Sequence, residues 1–297
     1  DNGMSIDPNV GGISAHLSRL RLRPGYFAFK RGYRALLKGL PGGMSLYRFN
    51  HRIKTAIKKS IYPCSLFEDM GFTYLGPVDG HNVEQLCSTL SWAKEMGCPV
   101  LVHVRTVKGK GYIPAERKPE LCHGVAPFDP NVGISESHGE DFSARFGKDM
   151  MTLASENGRI CAIAAAMGEG TGLSTFAHTY PDRFFDVGIA EGHAVTMAAG
   201  MAKQGMVPVF AVYSTFLQRS FDMLIHDVAL QKLHVVLAVD RAGLVGADGP
   251  THHGCQDVAY LGQIPGMTVL CPGSFVQLDD MLRFAVEMEG AVAVRYP

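Results

Sequence analysis

The sequence predicts an α/β fold, a doubly wound parallel sheet in one complete domain, preceded by the tail of another domain. Apolar runs of strand length alternate with helical patterns of about 10–15 residues from Ile160 onward, which is typical of parallel sheets. Four of these runs end in ionisable or hydroxyl side chains. Ligands of such sheets bind outside the carboxyl ends of the strands, so these side chains are predicted to line an active site.

Before Pro127 the pattern predicts helices, two strands and a basic, glycine-rich loop. In chain order these are helices over 33–38, 47–60 and 65–71, a strand over 73–75, a turn over 76–81, a helix over 83–96, a strand over 99–106 and the loop over 108–112. Gly71 and Gly97 are expected to end the helices that precede them. One strong strand and one weak one are too few for a sheet of their own, so this part is predicted to be a domain's tail.

The complete domain is predicted to follow a polar, turn-rich boundary over 127–139. We expect a helix over 142–157 and a strand over 160–166. The four strands that lead to polar side chains then follow, over 184–190, 207–212, 234–239 and 291–294. The predicted domains are therefore 1–133 and 140–297.

The polar residues at the four strand ends do not indicate a functional site equally well when each is considered by itself. Glu191, after the first strand, could simply cap the following helix, because a carboxylate is stabilised at a helix N-terminus. Longer polar segments follow the next two strands, at 213–219 and 240–254, and Arg295 follows the last strand. An acid, a tyrosine, histidines and arginines on one edge indicate a catalytic site rather than scattered surface charge.

Composition restricts the class of protein. Of the 297 residues 46% are hydrophobic, which suffices for buried cores, yet no apolar run approaches the ~18 residues of a membrane span. Seven scattered cysteines without a CxxC pair indicate reduced thiols in a cytosol-like compartment. Residues 16–60 contain twelve Lys/Arg and no acid. This basic stretch could be a set of solvated helix faces or a flap that attracts phosphorylated substrates, and it lacks the stacking aromatics of a nucleic-acid-binding strand.

Several long motifs in fixed order resemble the 1-deoxy-D-xylulose-5-phosphate synthase family of the transketolase superfamily. They lie at 2–6, 76–81, 108–116, 185–195, 213–219 and 240–254. The resemblance implies a thiamine-diphosphate-binding fold. It makes 1–133 the C-terminal part of a diphosphate-binding domain with a basic mobile excursion, and 140–297 a pyrimidine-binding domain.

The same resemblance implies an activity. Such enzymes use thiamine diphosphate and Mg²⁺ to join pyruvate to D-glyceraldehyde 3-phosphate with release of CO₂, the first step of non-mevalonate isoprenoid synthesis. It implies a homodimer in the bacterial cytoplasm or a plastid, with neither nucleic acid nor membrane as a partner. The alternatives are transketolase-type two-carbon transfer, a pyruvate dehydrogenase beta subunit, or an inactive relative that keeps only the fold.

The resemblance also assigns cofactor and catalytic residues. Glu191 matches the glutamate that shares a proton with the aminopyrimidine ring, and Phe216 matches the aromatic residue that packs on that ring. Tyr112 matches a cofactor-binding tyrosine. His123 matches a histidine near the reacting carbon, and His252 is a candidate proton donor to the new alkoxide.

The acceptor's phosphate requires guanidinium groups. The resemblance assigns the acceptor to Tyr213, Arg219, Arg241, Asp248, His252 and Arg295. Arg241 and Arg295 match the phosphate-binding arginines, although each could instead form a structural ion pair.

The expected metal site is only partly present in the sequence. Asn2 matches the last ligand of the family's magnesium motif, and the Met4 carbonyl would add a second oxygen. The Gly-Asp-Gly that opens this motif would precede Asp1, and the family continues beyond Pro297. We therefore expect an internal fragment that is inactive alone. The string 252–255 (His-His-Gly-Cys) is a poor zinc site, since no second Cys/His pair lies at ligand spacing.

Overall fold

A computed structural model describes residues 66–119, 122, 125, 127–133, 139–246 and 248–297. These residues form two compact units that divide between Arg117 and Lys118. The predicted helices over 33–38 and 47–60, and the basic stretch over 16–60, lie outside the described residues. None of the described helices is long and apolar enough to cross a membrane.

The described residues of the first unit, from Leu66 onward, form two parallel strands and three helices. They are α1 (Leu66–Asp69), β1 (Thr73–Asp79), α2 (Val83–Glu95), β2 (Val100–Arg105) and α3 (Ile113–Arg117). Strands β1 and β2 pair in parallel with a register shift between Leu75 and Val78. The predicted turn over 76–81 is therefore wrong in its first half, because β1 continues through this irregularity to Asp79.

The second unit contains a six-stranded parallel sheet with the order β4-β3-β5-β6-β8-β7. Its elements are α4 (Phe142–Glu156), β3 (Ile160–Ala164), α5 (Ser174–Thr179), β4 (Phe184–Asp186), α6 (Glu191–Lys203), β5 (Val207–Tyr213), α7 (Ser214–Leu217), α8 (Phe221–Met223), β6 (Val236–Asp240), α9 (Asp257–Leu261), β7 (Thr268–Leu270), α10 (Phe275–Glu287) and β8 (Val292–Arg295). The predicted α/β class with a parallel sheet is confirmed.

Helices cover both faces of this sheet, as a doubly wound fold requires. One face packs against α4 and α10 through fully buried residues such as Phe146 and Leu278. The other packs against α6 and α9 through Val195 and Leu261. Each such burial contributes roughly 1.5–3 kcal/mol. Strands buried on both faces read as continuous apolar runs, which explains why the sequence revealed them.

The structure corrects one predicted strand and adds one that was not predicted. The strand expected over 184–190 ends at Asp186, since its Oδ1 accepts hydrogen bonds from the backbone amides of Ala166 and Gly188. These side-chain bonds turn the chain away from the sheet towards α6. Strand β7 was missed because its three residues, at the sheet edge, are too few to form a pattern.

The segment after β5 consists of short helical pieces. A 3₁₀ turn (Gln218–Ser220) joins α7 to α8, and a π-helical turn (Leu224–Ala229) follows α8. Such π turns often occur near functional sites. This segment carries Phe216 and Arg219, so its geometry sets where these side chains lie.

Candidate active site

Three of the predicted site residues lie at or directly after the carboxyl ends of neighbouring strands of the sheet. Tyr213, at the end of β5, is in register with Asp240, at the end of β6. Arg295, at the end of β8, is in register with Val239. Arg241 follows Asp240 directly, so the strands bring Tyr213, Arg241 and Arg295 to the same edge.

Glu191 is buried at the first position of α6, with 4% of its surface exposed. Its Oε1 accepts a 2.5 Å hydrogen bond from Nη1 of Arg219, whose side chain is 52% exposed. Oε2 makes no hydrogen bond within the described part of the chain. The buried carboxylate is thus held at one oxygen by an arginine and keeps the other for a further donor.

The rings of Phe216, Tyr213 and His252 lie next to this ion pair and contact one another through Phe216. The Arg219 guanidinium carbon lies 4.9 Å from the centroid of the Phe216 ring. Phe216 stacks on Tyr213, with centroids 6.0 Å apart, and meets His252 edge-on at 5.4 Å. Such aromatic contacts favour one defined arrangement of the rings. Glu191 and His252 therefore belong to one continuous set of contacts.

Arg241 lies at the other end of this set, with its guanidinium carbon 3.8 Å from the centroid of the Tyr213 ring. Its Nη1 donates to the Gly170 carbonyl (3.0 Å) and to Asp240 Oδ2 (3.2 Å), and its Nε donates to Asp248 Oδ2 (3.1 Å). Nη2 makes no hydrogen bond within the described residues. Arg241 is therefore fixed through Nε and Nη1, and its side chain remains 24% exposed.

Asp240, which accepts a hydrogen bond from Nη1 of Arg241, is fully buried. Its Oδ1 accepts from the Arg241 backbone amide (2.7 Å), and its Oδ2 accepts from Ser143 Oγ (2.7 Å). Burial raises the pKa of Asp240 to about 6, against the opposing effects of Arg241 and Ser143. Arg241 has a φ of 56°, a left-handed conformation that is strained for a side chain of this size and often occurs at functional sites.

The loop between β6 and α9 carries Asp248 and His252. Thr251 Oγ1 lies 2.9 Å from His252 Nδ1, and the Thr251 carbonyl accepts a hydrogen bond from Thr215. His253 Nδ1 accepts a hydrogen bond from the backbone amide of Val245, so this histidine stabilises the loop.

No group of three potential metal ligands occurs among the residues that the structure describes.

Arg295 is held by a buried acid that the sequence did not single out. Its Nε and Nη2 donate to Oδ2 and Oδ1 of Asp257, at 2.8 and 3.2 Å. The Asp257 side chain is fully buried and that of Arg295 is 18% exposed. Nη2 also donates to the Gly254 carbonyl at 3.3 Å. Arg295 therefore forms the structural ion pair that the sequence left open as an alternative to phosphate binding.

Comparison with known proteins assigns the second unit. The family described as "Transketolase, pyrimidine binding domain" matches residues 140–297, more than half of the chain. The chain belongs to this family. A second family, described as "1-deoxy-D-xylulose-5-phosphate synthase", matches residues 1–106.

Individual relatives carry the name of the second family. Over 299 aligned residues the chain is 50% identical to the 1-deoxy-D-xylulose-5-phosphate synthase of Clostridium tetani and 52% identical to that of Carboxydothermus hydrogenoformans. Each alignment covers all of this chain and 48% of the relative, so the chain spans about half the length of these curated relatives. A solved structure titled "Split gene transketolase, inactive beta4 tetramer" is 32% identical, with a TM-score of 0.46 over 51% of this chain and 49% of its own.

Within this pyrimidine-binding domain the structure brings together Glu191, Tyr213, Phe216, Arg219, Arg241, Asp248 and His252. Asn2, Met4 and His123 lie outside the described residues, and Tyr112 belongs to the first unit, just before α3. Sequence reasoning missed Asp257 and assigned no role to Asp240, although Asp240 lies within a motif. No spacing signal distinguishes Asp257, because its partner is 38 residues away.

Proposed function

We propose that the chain serves in the thiamine-diphosphate-dependent synthesis of 1-deoxy-D-xylulose 5-phosphate from pyruvate and D-glyceraldehyde 3-phosphate, with release of CO₂. The observation that carries this proposal is the buried Glu191 at the start of α6, linked through Arg219 to the Phe216 ring. A buried carboxylate with one oxygen unbonded and an aromatic face nearby fits an aminopyrimidine. The names of the relatives indicate the product, 1-deoxy-D-xylulose 5-phosphate, and the two substrates are those that the sequence resemblance implies.

The residues present would hold the cofactor as follows. Glu191 would share a proton at its carboxylate with a ring nitrogen, and Phe216 would pack on the ring. The resemblance also assigns Tyr112 to the cofactor, and Asn2 and the Met4 carbonyl to Mg²⁺ as oxygen ligands. When bound, thiamine diphosphate supplies the carbon nucleophile that decarboxylation of pyruvate requires.

The acceptor would bind at the other end of the contact set. Nη2 of Arg241 has no hydrogen bond within the described residues and would suit a phosphate oxygen, since guanidinium groups bind phosphate in a defined geometry. Asp248, which is exposed beside Arg241, would accept from an acceptor hydroxyl. The Nδ1 of His252 is occupied by Thr251, so His252 would donate its proton from Nε2 to the new alkoxide.

The remaining assignments belong to the same proposal. They are the domains 1–133 and 140–297 as diphosphate- and pyrimidine-binding parts, His123 near the reacting carbon, Tyr213 and Arg219 beside the acceptor, and a homodimeric assembly. Arg219 also stabilises the charge of Glu191, because a buried carboxylate without a partner is costly.

The test is a chimera in which this chain replaces the matching half of the Clostridium tetani relative. Pyruvate is offered as donor with D-glyceraldehyde 3-phosphate. Xylulose 5-phosphate is offered as donor with ribose 5-phosphate, because its transfer to D-glyceraldehyde 3-phosphate would only regenerate the starting pair. We expect CO₂ release and 1-deoxy-D-xylulose 5-phosphate with pyruvate, and no turnover of xylulose 5-phosphate. Use of xylulose 5-phosphate with no use of pyruvate would establish transketolase-type transfer and contradict the proposal.

A further inference from the structure

We propose that two buried acids, Asp240 and Asp257, are positioning residues of one phosphate subsite. Each acid fixes one arginine, and together the two acids set the preference for a phosphorylated acceptor. Arg241 and Arg295 remain the ligands of the phosphate. The contacts between acids and arginines are properties of this chain, and their consequence for the acceptor rests on the proposed function.

The two arginines lie side by side at the carboxyl ends of neighbouring strands. Arg295 ends β8 and is in register with Val239 of β6, which Asp240 and Arg241 follow. Just beyond the strands, the backbone amide of Ala242 donates a hydrogen bond to the carbonyl of Tyr296 at 2.9 Å. The arginines therefore leave the same edge of the sheet from adjacent segments, which suits two ligands of one anion.

Each arginine is fixed by a fully buried carboxylate. Asp257 accepts from Nε and Nη2 of Arg295, at 2.8 and 3.2 Å, in the side-on geometry in which an arginine binds a carboxylate firmly. Asp240 accepts from Nη1 of Arg241 at 3.2 Å and from the backbone amide of Arg241 at 2.7 Å. Because a buried carboxylate without its partner is costly, both contacts are expected to persist when a substrate binds.

One terminal nitrogen of each guanidinium is left for an anion. Within the described residues Nη2 of Arg241 makes no hydrogen bond, and Nη1 of Arg295 donates only to Cys271 Sγ, at 4.0 Å. A phosphate group has three terminal oxygens and can accept from two separate nitrogens. The ion pair of Arg295 and phosphate binding are therefore compatible. By engaging the other nitrogens, the acids determine which nitrogens meet the phosphate.

Asp240 is itself held by a residue outside the sheet. Ser143 Oγ, in the first turn of α4, donates to Asp240 Oδ2 at 2.7 Å. Nη1 of Arg241 also donates to the Gly170 carbonyl at 3.0 Å, and a Cβ on Gly170 would overlap Tyr213 Oη. Arg241 is thus surrounded by closely packed groups. A side chain that is ordered before binding loses little entropy when the ligand arrives, which favours affinity.

The charge of the two acids acts against their positioning effect. A carboxylate beside an arginine lowers the positive potential that attracts phosphate, so its removal would strengthen binding if charge alone mattered. A misplaced guanidinium has the opposite effect, since a shift of about 1 Å can cost about 10²-fold in rate. We expect positioning to prevail in an Asp→Asn variant. The amide nitrogen of Asn is a donor and cannot accept from the guanidinium.

The positioning is measured on this chain, without ligand, by nitrogen-15 relaxation of the arginine Nε–Hε groups. In the natural chain the groups of Arg241 and Arg295 should be as rigid as the backbone, with order parameters of about 0.8. Asp240→Asn should lower the value for Arg241, and Asp257→Asn that for Arg295, to below about 0.6. Asp149→Asn, which removes a buried acid paired with Arg145, should change neither.

Two results of this measurement would overturn the positioning. One is an unchanged order parameter in an Asn variant that folds. The other is a mobile Arg241 or Arg295 in the natural chain, a result that needs no variant and therefore decides the matter even where a variant fails to fold.

The consequence for the acceptor is measured in the chimera with D-glyceraldehyde 3-phosphate and with D-glyceraldehyde. Asp240→Asn and Asp257→Asn should each lower the ratio of kcat/KM for the phosphorylated over the unphosphorylated acceptor by about tenfold. General loss of stability would affect both acceptors alike, and Asp149→Asn should keep the ratio. The assays are run at about pH 8, so that Asp240, whose pKa burial raises to about 6, is ionised.

A double variant shows whether Asp240 acts through its arginine. Added to Arg241→Gln, Asp240→Asn should lower the ratio no further, because residues that act as one unit are not additive. A ratio that stays or rises in either Asn single variant would overturn the role of that acid in acceptor preference. A chimera that does not use pyruvate would refute the proposed function, while the relaxation result would still decide the positioning.

Discussion

The half-exposed guanidinium of Arg219 donates a hydrogen bond to the buried carboxylate of Glu191, 28 residues before it in the chain. This ion pair joins the first residue of α6 to the 3₁₀ turn that follows α7. A charge as buried as Glu191 is stable only with such a partner. The pair therefore holds one oxygen of the Glu191 carboxylate through an arginine that also contacts the Phe216 ring, where the proposed cofactor would need the carboxylate.

The first prediction concerns the stability that this pair contributes. Arg219→Gln should lower the free energy of unfolding by about 1–3 kcal/mol, because Glu191 is left without its charged partner. Adding Glu191→Gln should recover part of this loss, since residues in contact are not additive. Urea unfolding of the two single variants and the double variant measures the coupling. Strictly additive losses would show that the two side chains do not interact.

The second prediction is a dependence of stability on pH through Asp240. Burial raises its pKa from 3.8 to about 6, so the folded state binds the proton more tightly than the unfolded state. The protonated Asp240 therefore contributes at most about 3 kcal/mol to the free energy of unfolding. This contribution is fully present below about pH 4 and is lost as the pH rises through about 6. In Asp240→Asn this contribution is absent. The free energy of unfolding of the natural chain, relative to that of the variant, should therefore fall between these pH values; a constant difference would contradict the prediction.

The third prediction compares two glycines that differ in their surroundings. Gly254→Ala should destabilise the chain by about 1–3 kcal/mol, because its Cβ would overlap the Arg241 carbonyl and the backbone would have to shift. Gly200, exposed within α6, has no atom within 4 Å of the added Cβ. Gly200→Ala should therefore stabilise the helix by about 0.5–1 kcal/mol. Thermal unfolding of both variants measures the contrast, which equal shifts would contradict.

The sequence predicts most of the sheet because its strands are buried on both faces and stand out as apolar runs. It could not predict β7, where Thr268–Leu270 is too short to form a pattern, or the early end of β4 at Asp186. Both depend on contacts between segments that are distant in the chain.

For the site, the motifs identified Glu191, Phe216 and Arg241, and the strand ends explain why they meet. The pairing of Arg295 with Asp257 could not be predicted, because an acid in the first turn of a short apolar helix is common for reasons of helix stability alone. The left-handed backbone of Arg241 was equally hidden, since neighbouring residues give no signal for it.

The most direct test of the central claim is the release of CO₂ from pyruvate by the chimera carrying Glu191→Ala. A group that must exchange a proton in every turnover contributes at least about 10²-fold to the rate. We expect a loss of that size, with Glu289→Ala, an exposed acid at the end of the same domain, as the matched control of unchanged rate. Near-normal CO₂ release by Glu191→Ala would remove Glu191 from the mechanism and contradict the account.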